Sequence, residues 1–235
     1  MRDLLLQLAL AAVPAVLAIT LHEAAHGYAA LALGDDTARR MGRLSLNPLR
    51  HVDRVGTVLL PGALLLLQLL TIGRVAFMFG WAKPVPVAAW RFRDPRRGMM
   101  VVAAAGPAMN FLLAWLGALA LHGLGLLPAG AADIAETLIF YFILTNLVLG
   151  LFNLLPIPPM DGGRIMVGLL PARAAARWAR LEPAGIAIVL LGVFVLPQLL
   201  RQLGVAFDPV GATLGRVLPR AIDLVLQLAG YHEHV

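Results

Sequence analysis

The sequence predicts an all-α polytopic membrane protein with about four to six transmembrane helices. A re-entrant or short β segment is expected between the first span and the span that carries a Gly-Pro-x-x-Asn motif. Of the 235 residues, 60% are hydrophobic and 14% are charged, whereas soluble domains carry roughly 25% charged residues. Several apolar runs reach the roughly 20 residues that a helix needs to cross a bilayer. Arginines are concentrated in the short loops between these runs, as the positive-inside rule describes.

The composition also excludes several classes of protein. The net charge of +6 does not indicate a nucleic-acid partner, because no long basic or aromatic surface remains to form such a face. There is no cysteine, so disulfides and thiolate metal sites are excluded. Any metal ion would therefore be held by His, Asp or Glu.

The first apolar run extends from about residue 3 to residue 33 and ends at Gly34-Asp35-Asp36, a helix terminator followed by charge. A signal peptide is the alternative, but its apolar region is only roughly 7–15 residues long. We therefore interpret the run as a complete span that is retained. In the basic stretch that follows, residues 43–46 alternate like a short strand before the turn signal Asn47-Pro48.

A second apolar run, residues 56–80, lies between two strongly basic loops, 39–54 and 83–97. The positive-inside rule places both loops in the cytoplasm. The run is therefore predicted to enter the membrane and return on the same side. Non-helical backbone at that depth is tolerated only against protein or a water-filled cavity, so the segment is expected to pack beside a functional site.

Further spans are predicted at about 98–121, 134–155 and 183–203. The loop at 122–135 has no Lys or Arg, as an outside loop should, whereas arginines return after residue 163. From residue 208 onwards, charged residues among leucines predict either an interfacial amphipathic helix or a weak span.

The first span carries His22 and His26, which a helix places on one face about one turn apart. Both imidazoles can then reach one cation, and Glu23 is placed to touch a water bound to that cation. Ionisable residues within a span cost roughly 2.5–3.5 kcal/mol each on insertion scales and mark functional sites by default. A metal ion supplies the partner that this cluster needs.

A catalytic zinc site keeps three protein ligands and one open position, so a third ligand is expected at the same membrane depth. Asp161 follows a proline-rich break at the end of the 134–155 span, on the side that His22 and His26 also approach. It could also act as the N-cap of a helix that starts near Gly163. The remaining candidates lie at the predicted outer end or in the terminal tail: His122, Asp133, Glu136, His232, Glu233 and His234.

Three ordered motifs resemble those of the site-2 protease family of intramembrane zinc metalloproteases, in the form of a compact bacterial-type member without a PDZ domain. The motifs are His22-Glu23-x-x-His26, Gly106-Pro107-x-x-Asn110 and Asn153-x-x-Pro156-x-x-Pro159-x-Asp161-Gly162. The resemblance covers about residues 15–170. It implies that one Zn²⁺ ion is bound by His22, His26 and Asp161, and that Glu23 is the catalytic base.

The resemblance also implies that Asn110 and Asn153 line the site, with Asn153 in contact with the substrate or the oxyanion. Helix–helix hydrogen bonding, worth roughly 0.6–2 kcal/mol, is the alternative for both asparagines. Asn153 lies at an unwinding helix end, which favours contact with the site, whereas for Asn110 both interpretations stand. His51, in the basic loop, is either a secondary metal or substrate contact or a solvated side chain.

The implied function is regulated intramembrane proteolysis of a single-pass transmembrane substrate in the cell inner (plasma) membrane, with the active site toward the cytoplasm. We expect a single membrane-embedded metalloprotease domain over 1–235, with a catalytic core at about 3–170 and C-terminal helices at about 183–230. The protein is expected to be embedded in, and in contact with, the lipid bilayer. The alternatives are a non-proteolytic zinc-binding scaffold, which has no need of Glu23, and a metal transporter, which needs ligands spread through the bilayer. No sequence pattern indicates the substrate, the trigger or the oligomeric state.

Overall fold

Helices are the regular secondary structure of this chain in the computed structural model, which describes residues 2–73 and 80–231. No strand occurs within these two ranges. Two π-helical segments, Arg54–Leu59 and Leu190–Val195, are continuous with the α-helices beside them. In chain order the α-helices are α1 (Arg2–Ala32), α2 (Thr37–Arg40), α3 (Leu60–Ile72), α4 (Pro95–Ala120), α5 (Ala129–Asn153), α6 (Asp161–Leu169), α7 (Ala172–Ala179), α8 (Gly185–Val189), α9 (Leu196–Gln202) and α10 (Pro209–Leu228).

Within the described ranges, five helical segments are long and apolar enough to cross a bilayer by length and composition. This confirms the predicted all-α polytopic architecture, and the five candidate spans fall within the predicted four to six. The segments are Leu10–Ala32, Arg54–Thr71, Pro95–Leu126, Ala129–Asn153 and Ala172–Gln202.

The zinc-motif helix α1 packs against α4 and α5. Small side chains allow this approach, since Ala18, Ala24, Ala25 and Ala30 are all buried. Beyond α1, Gly34 adopts a φ of +97°, a region that strongly favours glycine. The helix therefore stops sharply, with the His-Glu-x-x-His motif held in its buried part.

The antiparallel helices α4 and α5 share an apolar cluster with the end of α10. It consists of Ala114, Ala118, Ile143, Leu147, Val225 and Ala229. Trp115 Nε1 donates to the Leu228 carbonyl at 3.2 Å, and His122 Nε2 donates to the Ala229 carbonyl at 2.7 Å. The C-terminal end of α10 is thereby fixed beside the end of α4, and α10 is not one of the five candidate spans.

The short β segment expected at residues 43–46 is not formed. Within the segment, the Ser45 carbonyl accepts from His51 Nε2 at 2.8 Å, and directly before it the Gly42 carbonyl accepts from Arg50 Nη1 at 2.6 Å. Arg43 in turn reaches across to the Lys83 carbonyl at 2.8 Å. These bonds close a compact loop and leave no straight edge for a partner strand.

The two ends of the apolar run 56–80 lie side by side. The Trp81 N–H donates to the Gly56 carbonyl at 3.1 Å, and the Lys83 N–H donates to the His51 carbonyl at 2.8 Å. Thr57 Oγ1 also donates to the Trp81 carbonyl at 2.9 Å. The run therefore begins and ends at the same place in the fold. Residues 74–79 of the run lie outside the described residues.

Candidate metal centre

Three side chains from two distant parts of the chain converge on one point. Nε2 of His22 and Nε2 of His26 are 3.1 Å apart. Oδ2 of Asp161 lies 3.1 Å from the former and 3.4 Å from the latter. These residues form the one cluster of three potential metal-ligating side chains found among the described residues.

A directional chain of hydrogen bonds fixes the tautomer of His22. The Phe142 carbonyl can only accept, so the Asn146 amide nitrogen donates to it at 2.8 Å. Asn146 Oδ1 then accepts from the Asn110 amide nitrogen at 2.9 Å, which turns Asn110 Oδ1 toward His22 Nδ1 at 2.6 Å. His22 must therefore carry its proton on Nδ1, and its Nε2 presents a lone pair to the cluster.

A backbone carbonyl orients the His26 ring so that its Nε2 also faces the cluster. Its Nδ1 lies 2.7 Å from the Val102 carbonyl, which accepts the ring proton. Both Nε2 lone pairs thus face each other and the Asp161 carboxylate, whose buried Oδ2 has no hydrogen-bond donor. Three acceptors at this separation repel one another unless a cation lies between them.

The spacing of these three atoms fits zinc. Ligands about 2.0–2.2 Å from a tetrahedral Zn²⁺ lie roughly 3.3–3.5 Å from one another. The observed separations of 3.1–3.4 Å are close to this value. Two neutral imidazoles and one carboxylate are also a usual donor set for a zinc site with an open position.

Helix α4 supplies the floor of the cluster at Gly106. A Cβ atom built there would lie 2.5 Å from Cε1 of His26 and 2.6 Å from Nε2 of His22. Real Cβ atoms do not approach so closely, so only glycine lets α4 approach both imidazoles. The glycine of the Gly-Pro-x-x-Asn motif thus makes room for both imidazoles, and its asparagine orients one of them, His22.

Asp161 is presented by the irregular segment between α5 and α6. This segment folds back tightly, since a Cβ on Gly162 would lie 2.3 Å from the carbonyl oxygens of Leu154 and Leu155. Asp161 itself is the first residue of α6 and is 7% exposed. Met160 occupies the N-cap position of this helix, so the alternative of an N-cap at Asp161 was wrong.

Glu23 is held by a segment far along the chain. Residues 81–92, here called the strap, have no regular structure apart from a short 3₁₀ turn at Ala89–Arg91. The Val85 N–H donates to Oε2 of Glu23 at 2.9 Å. At the end of α1, the Ala88 N–H donates to the fully buried Asp35 carboxylate at 2.6 Å. The strap is thus fixed at one point on the zinc-motif helix and at a second point just beyond its end.

The cluster opens into a cavity of about 370 Å³. Its walls come from α1, the strap, α4, the end of α5 and the start of α6. Asn153 lines this cavity, and its amide nitrogen donates to the Leu149 carbonyl at 3.0 Å. Asn110 does not line it, because its side chain is fully buried behind His22. The helix–helix interpretation therefore describes Asn110, which also orients a candidate ligand.

Sequence reasoning missed Asn146, the fully buried origin of the chain that orients His22. The signal was available, since Asn146 is another uncharged polar residue inside an apolar span. The bond from the Val85 N–H had no such signal, because every non-proline residue carries a backbone N–H. His51 is buried but does not line the cavity, and its ring closes the 43–51 loop.

Comparison with known proteins agrees with this arrangement. Residues 124–196 match the model of peptidase family M50. The chain is 40% identical over 187 residues to the Bacillus subtilis (strain 168) protein named "Putative zinc metalloprotease YwhC", and the match covers 77% of this chain and 78% of that one. No solved structure gives a significant match. The protein therefore belongs to peptidase family M50, the site-2 protease family of zinc metalloproteases, and is a multi-pass membrane metalloprotease.

Proposed function

We propose that the protein is an intramembrane protease that cleaves membrane-spanning substrate proteins, with one zinc ion held by His22, His26 and Asp161. Glu23 is the general base in this proposal, and Asn153 contacts the substrate or the oxyanion. The whole chain acts as one membrane-embedded domain. Its substrates are single-pass proteins of the same bilayer, the cell inner (plasma) membrane.

The observation that supports this proposal most strongly is the convergence of three hydrogen-bond acceptors. The fixed tautomers of His22 and His26 leave no proton between their Nε2 atoms and Asp161. A scaffold would need the metal but not the adjacent carboxylate of Glu23. A transporter would need further ligand clusters along a path, and the described residues contain no other cluster of this kind.

Bound zinc would supply two effects, a lowered pKa for a coordinated water and polarisation of the scissile carbonyl. The chain supplies the proton transfers. The Val85 N–H engages Oε2 of Glu23, which leaves Oε1 to take a proton from the attacking water and pass it to the leaving amine. The buried amides of Asn110 and Asn146 keep the His22 lone pair directed at the cluster throughout.

The charges of this arrangement cancel. Two neutral histidines, the carboxylates of Asp161 and Glu23, and one divalent cation sum to zero. Transfer of a proton to Glu23 leaves that sum unchanged. A neutral site avoids the large desolvation penalty that a net charge would carry in an apolar setting.

The adjacent ends of the run 56–80 favour a re-entrant segment, because a chain that rejoins the structure beside its starting point has made no net crossing. The basic loops at both ends then lie in the cytoplasm. The strap begins directly after the place where the two ends of the run meet, and it forms one wall of the cavity. We therefore place the active site toward the cytoplasmic side.

Two substitutions test the proposal in purified protein. Glu23→Gln is expected to retain zinc and lose cleavage of a single-span substrate, because the ligands remain but the base is gone. Asp161→Ala is expected to lose both zinc and cleavage. Metal analysis and a cleavage assay are read on the same preparations, with Glu136→Gln, in the N-terminal part of α5, as a control that retains both.

An Asp161→Ala protein with its full zinc content would remove Asp161 from the ligand set. Cleavage by Glu23→Gln at the wild-type rate would remove Glu23 as the base. If the wild type binds zinc but cleaves no transmembrane peptide above the Glu23→Gln background, the proposed proteolysis is overturned.

A further inference from the structure

Arg164 is the one arginine or lysine among the described residues that line the cavity. The other ionisable groups there are the candidate ligands and Glu23. Most of the remaining lining is apolar. Because the charges of the metal cluster cancel in the proposed site, Arg164 is the remaining charged side chain on the cavity wall, and the neighbouring carboxylate of Glu182 balances it in the absence of substrate.

Arg164 follows Asp161 by three residues on α6, so a helix places both side chains on one face about one turn apart. Its position does not serve the helix. The first turn of an α-helix carries partial positive charge and disfavours a cation. The guanidinium is therefore retained beside the cluster at some cost to α6, which points to a role outside helix stability.

The partner of Arg164 is Glu182, from the short 3₁₀ turn Glu182–Ala184. Nε and Nη2 of Arg164 donate to the same carboxylate oxygen, at 3.2 and 2.8 Å. Nη1 has no acceptor among the described residues and remains available to a ligand. Both side chains are nearly half exposed, at 44% and 46%. Water solvates such pairs well, so an incoming carboxylate can replace Glu182 at little cost.

Backbone packing, in addition to the ion pair, keeps Glu182 beside the cavity. A Cβ on Gly185 would lie 2.5 Å from the carbonyl of Pro158. The turn that carries Glu182 is thus packed directly on the segment that presents Asp161. Glu182 stays close when its pairing is exchanged, so it can return after a ligand leaves.

We infer that Arg164 is a specificity-determining residue that binds a carboxylate of the substrate, an Asp or Glu side chain near the cleaved bond, in exchange for Glu182. This inference rests on the proposed proteolytic function. A planar guanidinium matches a carboxylate in a two-pronged geometry that an amide or an amine does not reproduce. Substrates with a lysine at the same position are rejected by like charge.

Single-span peptides that differ at one position test this inference. Asp is first placed at each of four positions on either side of the cleaved bond, and the best position is then compared with Asn and Lys. We expect kcat/KM for Asp to exceed that for Asn by about tenfold, the effect of one charge-assisted hydrogen bond. Arg164→Gln removes this preference, and Arg164→Glu reverses it in favour of Lys, which loss of structure alone would not do.

Two further variants sharpen the test. Glu182→Gln removes the competing carboxylate and is expected to lower KM for the Asp peptide without a matching change for the Asn peptide. Arg97→Gln is the matched control, because Arg97 is also paired with a nearby carboxylate, Asp94, but does not line the cavity. It is expected to keep the wild-type preference.

Equal kcat/KM for the Asp and Asn peptides with the wild type would overturn the inference, and the proposed proteolysis would stand. The same holds if Arg164→Gln keeps the wild-type preference. If the wild type cleaves none of the peptides, the proposed proteolysis fails and fluorescence anisotropy of labelled Asp and Asn peptides decides the inference. Tighter binding of the Asp peptide that is lost in Arg164→Gln supports it, and equal binding overturns it.

Discussion

At the scale of single residues, the candidate centre depends on uncharged groups behind the ligands. Asn110 and Asn146 are both fully buried, and their side chains form a continuous chain of hydrogen bonds from the Phe142 carbonyl to His22 Nδ1. Their direction is set at one end by the Phe142 carbonyl, which cannot donate. Each amide has one donor end and one acceptor end. The donor–acceptor direction that the Phe142 carbonyl sets therefore makes His22 Nδ1 the donor at the other end of the chain. Two asparagines thus determine which nitrogen of His22, a candidate ligand, is free.

Replacement of Asn110 by alanine is expected to weaken zinc binding by about 10–100-fold, the usual effect of losing a partner that orients a ligand. Asn146→Ala should weaken it less, because Asn110 can still accept from His22 although its own amide proton loses a partner. Zinc affinity is measured by competition with a chelator. Wild-type affinity in Asn110→Ala would show that His22 holds its orientation without the amide.

At the scale of elements, the strap shows how a segment without regular structure is fixed beside the zinc-motif helix. The buried Asp35 carboxylate accepts from the Ala88 N–H and from both the backbone and the hydroxyl of Thr37. Arg91 pairs with the neighbouring Asp36. The strap is thereby tied to the end of α1, and this placement brings the Val85 N–H to Glu23.

The ionised state of Asp35 is part of this attachment. Burial raises the pKa of the Asp35 carboxyl, but the hydrogen bonds from Thr37 and Ala88 and the charge of Arg91 outweigh it, so the pKa is below its usual value. A lowered pKa in the folded state means that stabilisation is complete above the unfolded pKa of about 3.9. It is lost as the pH falls through the lower folded value.

Asp35→Asn is therefore expected to lower the free energy of unfolding by about 1–3 kcal/mol at neutral pH, since the hydrogen bonds to a charged acceptor are replaced by weaker ones. The difference in Tm between wild type and variant should be constant near neutral pH and shrink below about pH 4. Thermal unfolding in detergent micelles across this range provides the measurement. Asp133→Asn, at an exposed position of α5, is the control. A difference that stays constant down to pH 2 would contradict this role of the charge.

At the scale of the whole molecule, the position of the strap beside the cavity depends on the path of the apolar run that precedes it. The run 56–80 begins and ends at one place, where Gly56 packs against the Trp81 ring. The strap then carries the chain past Glu23 to α4. If this run re-enters the membrane as proposed, the strap reaches the cavity without an additional crossing of the bilayer.

The absence of cysteine allows this topology to be tested by single cysteine substitutions. Ser45→Cys and Arg93→Cys, on either side of the run, are expected to react with a membrane-impermeant thiol reagent from the same face. Gly123→Cys, in the loop without basic residues, should react from the opposite face. Labelling of positions 45 and 93 from opposite faces would show that the run crosses the membrane.

The sequence by itself determined the helical membrane architecture. The length of each apolar run and the charge of each loop are local properties of the sequence, and they decide directly how a segment partitions into the bilayer. It also determined which residues could ligate a metal, since the spacing of His22 and His26 fixes a helix face and the absence of cysteine narrows the choice. The expected strand at 43–46 was wrong because contacts with residues before and after it fold this stretch into a loop: the Arg43 N–H donates to the Ala38 carbonyl, and the Ser45 carbonyl accepts from His51.

Only the tertiary structure decided what the site residues contact. It moved Asn110 from the cavity to a position behind His22, brought in Asn146, and placed the Val85 N–H on Glu23. These contacts join residues 36 to 88 positions apart in the chain. They depend on how closely the helices approach, which Gly106 permits and no local pattern encodes.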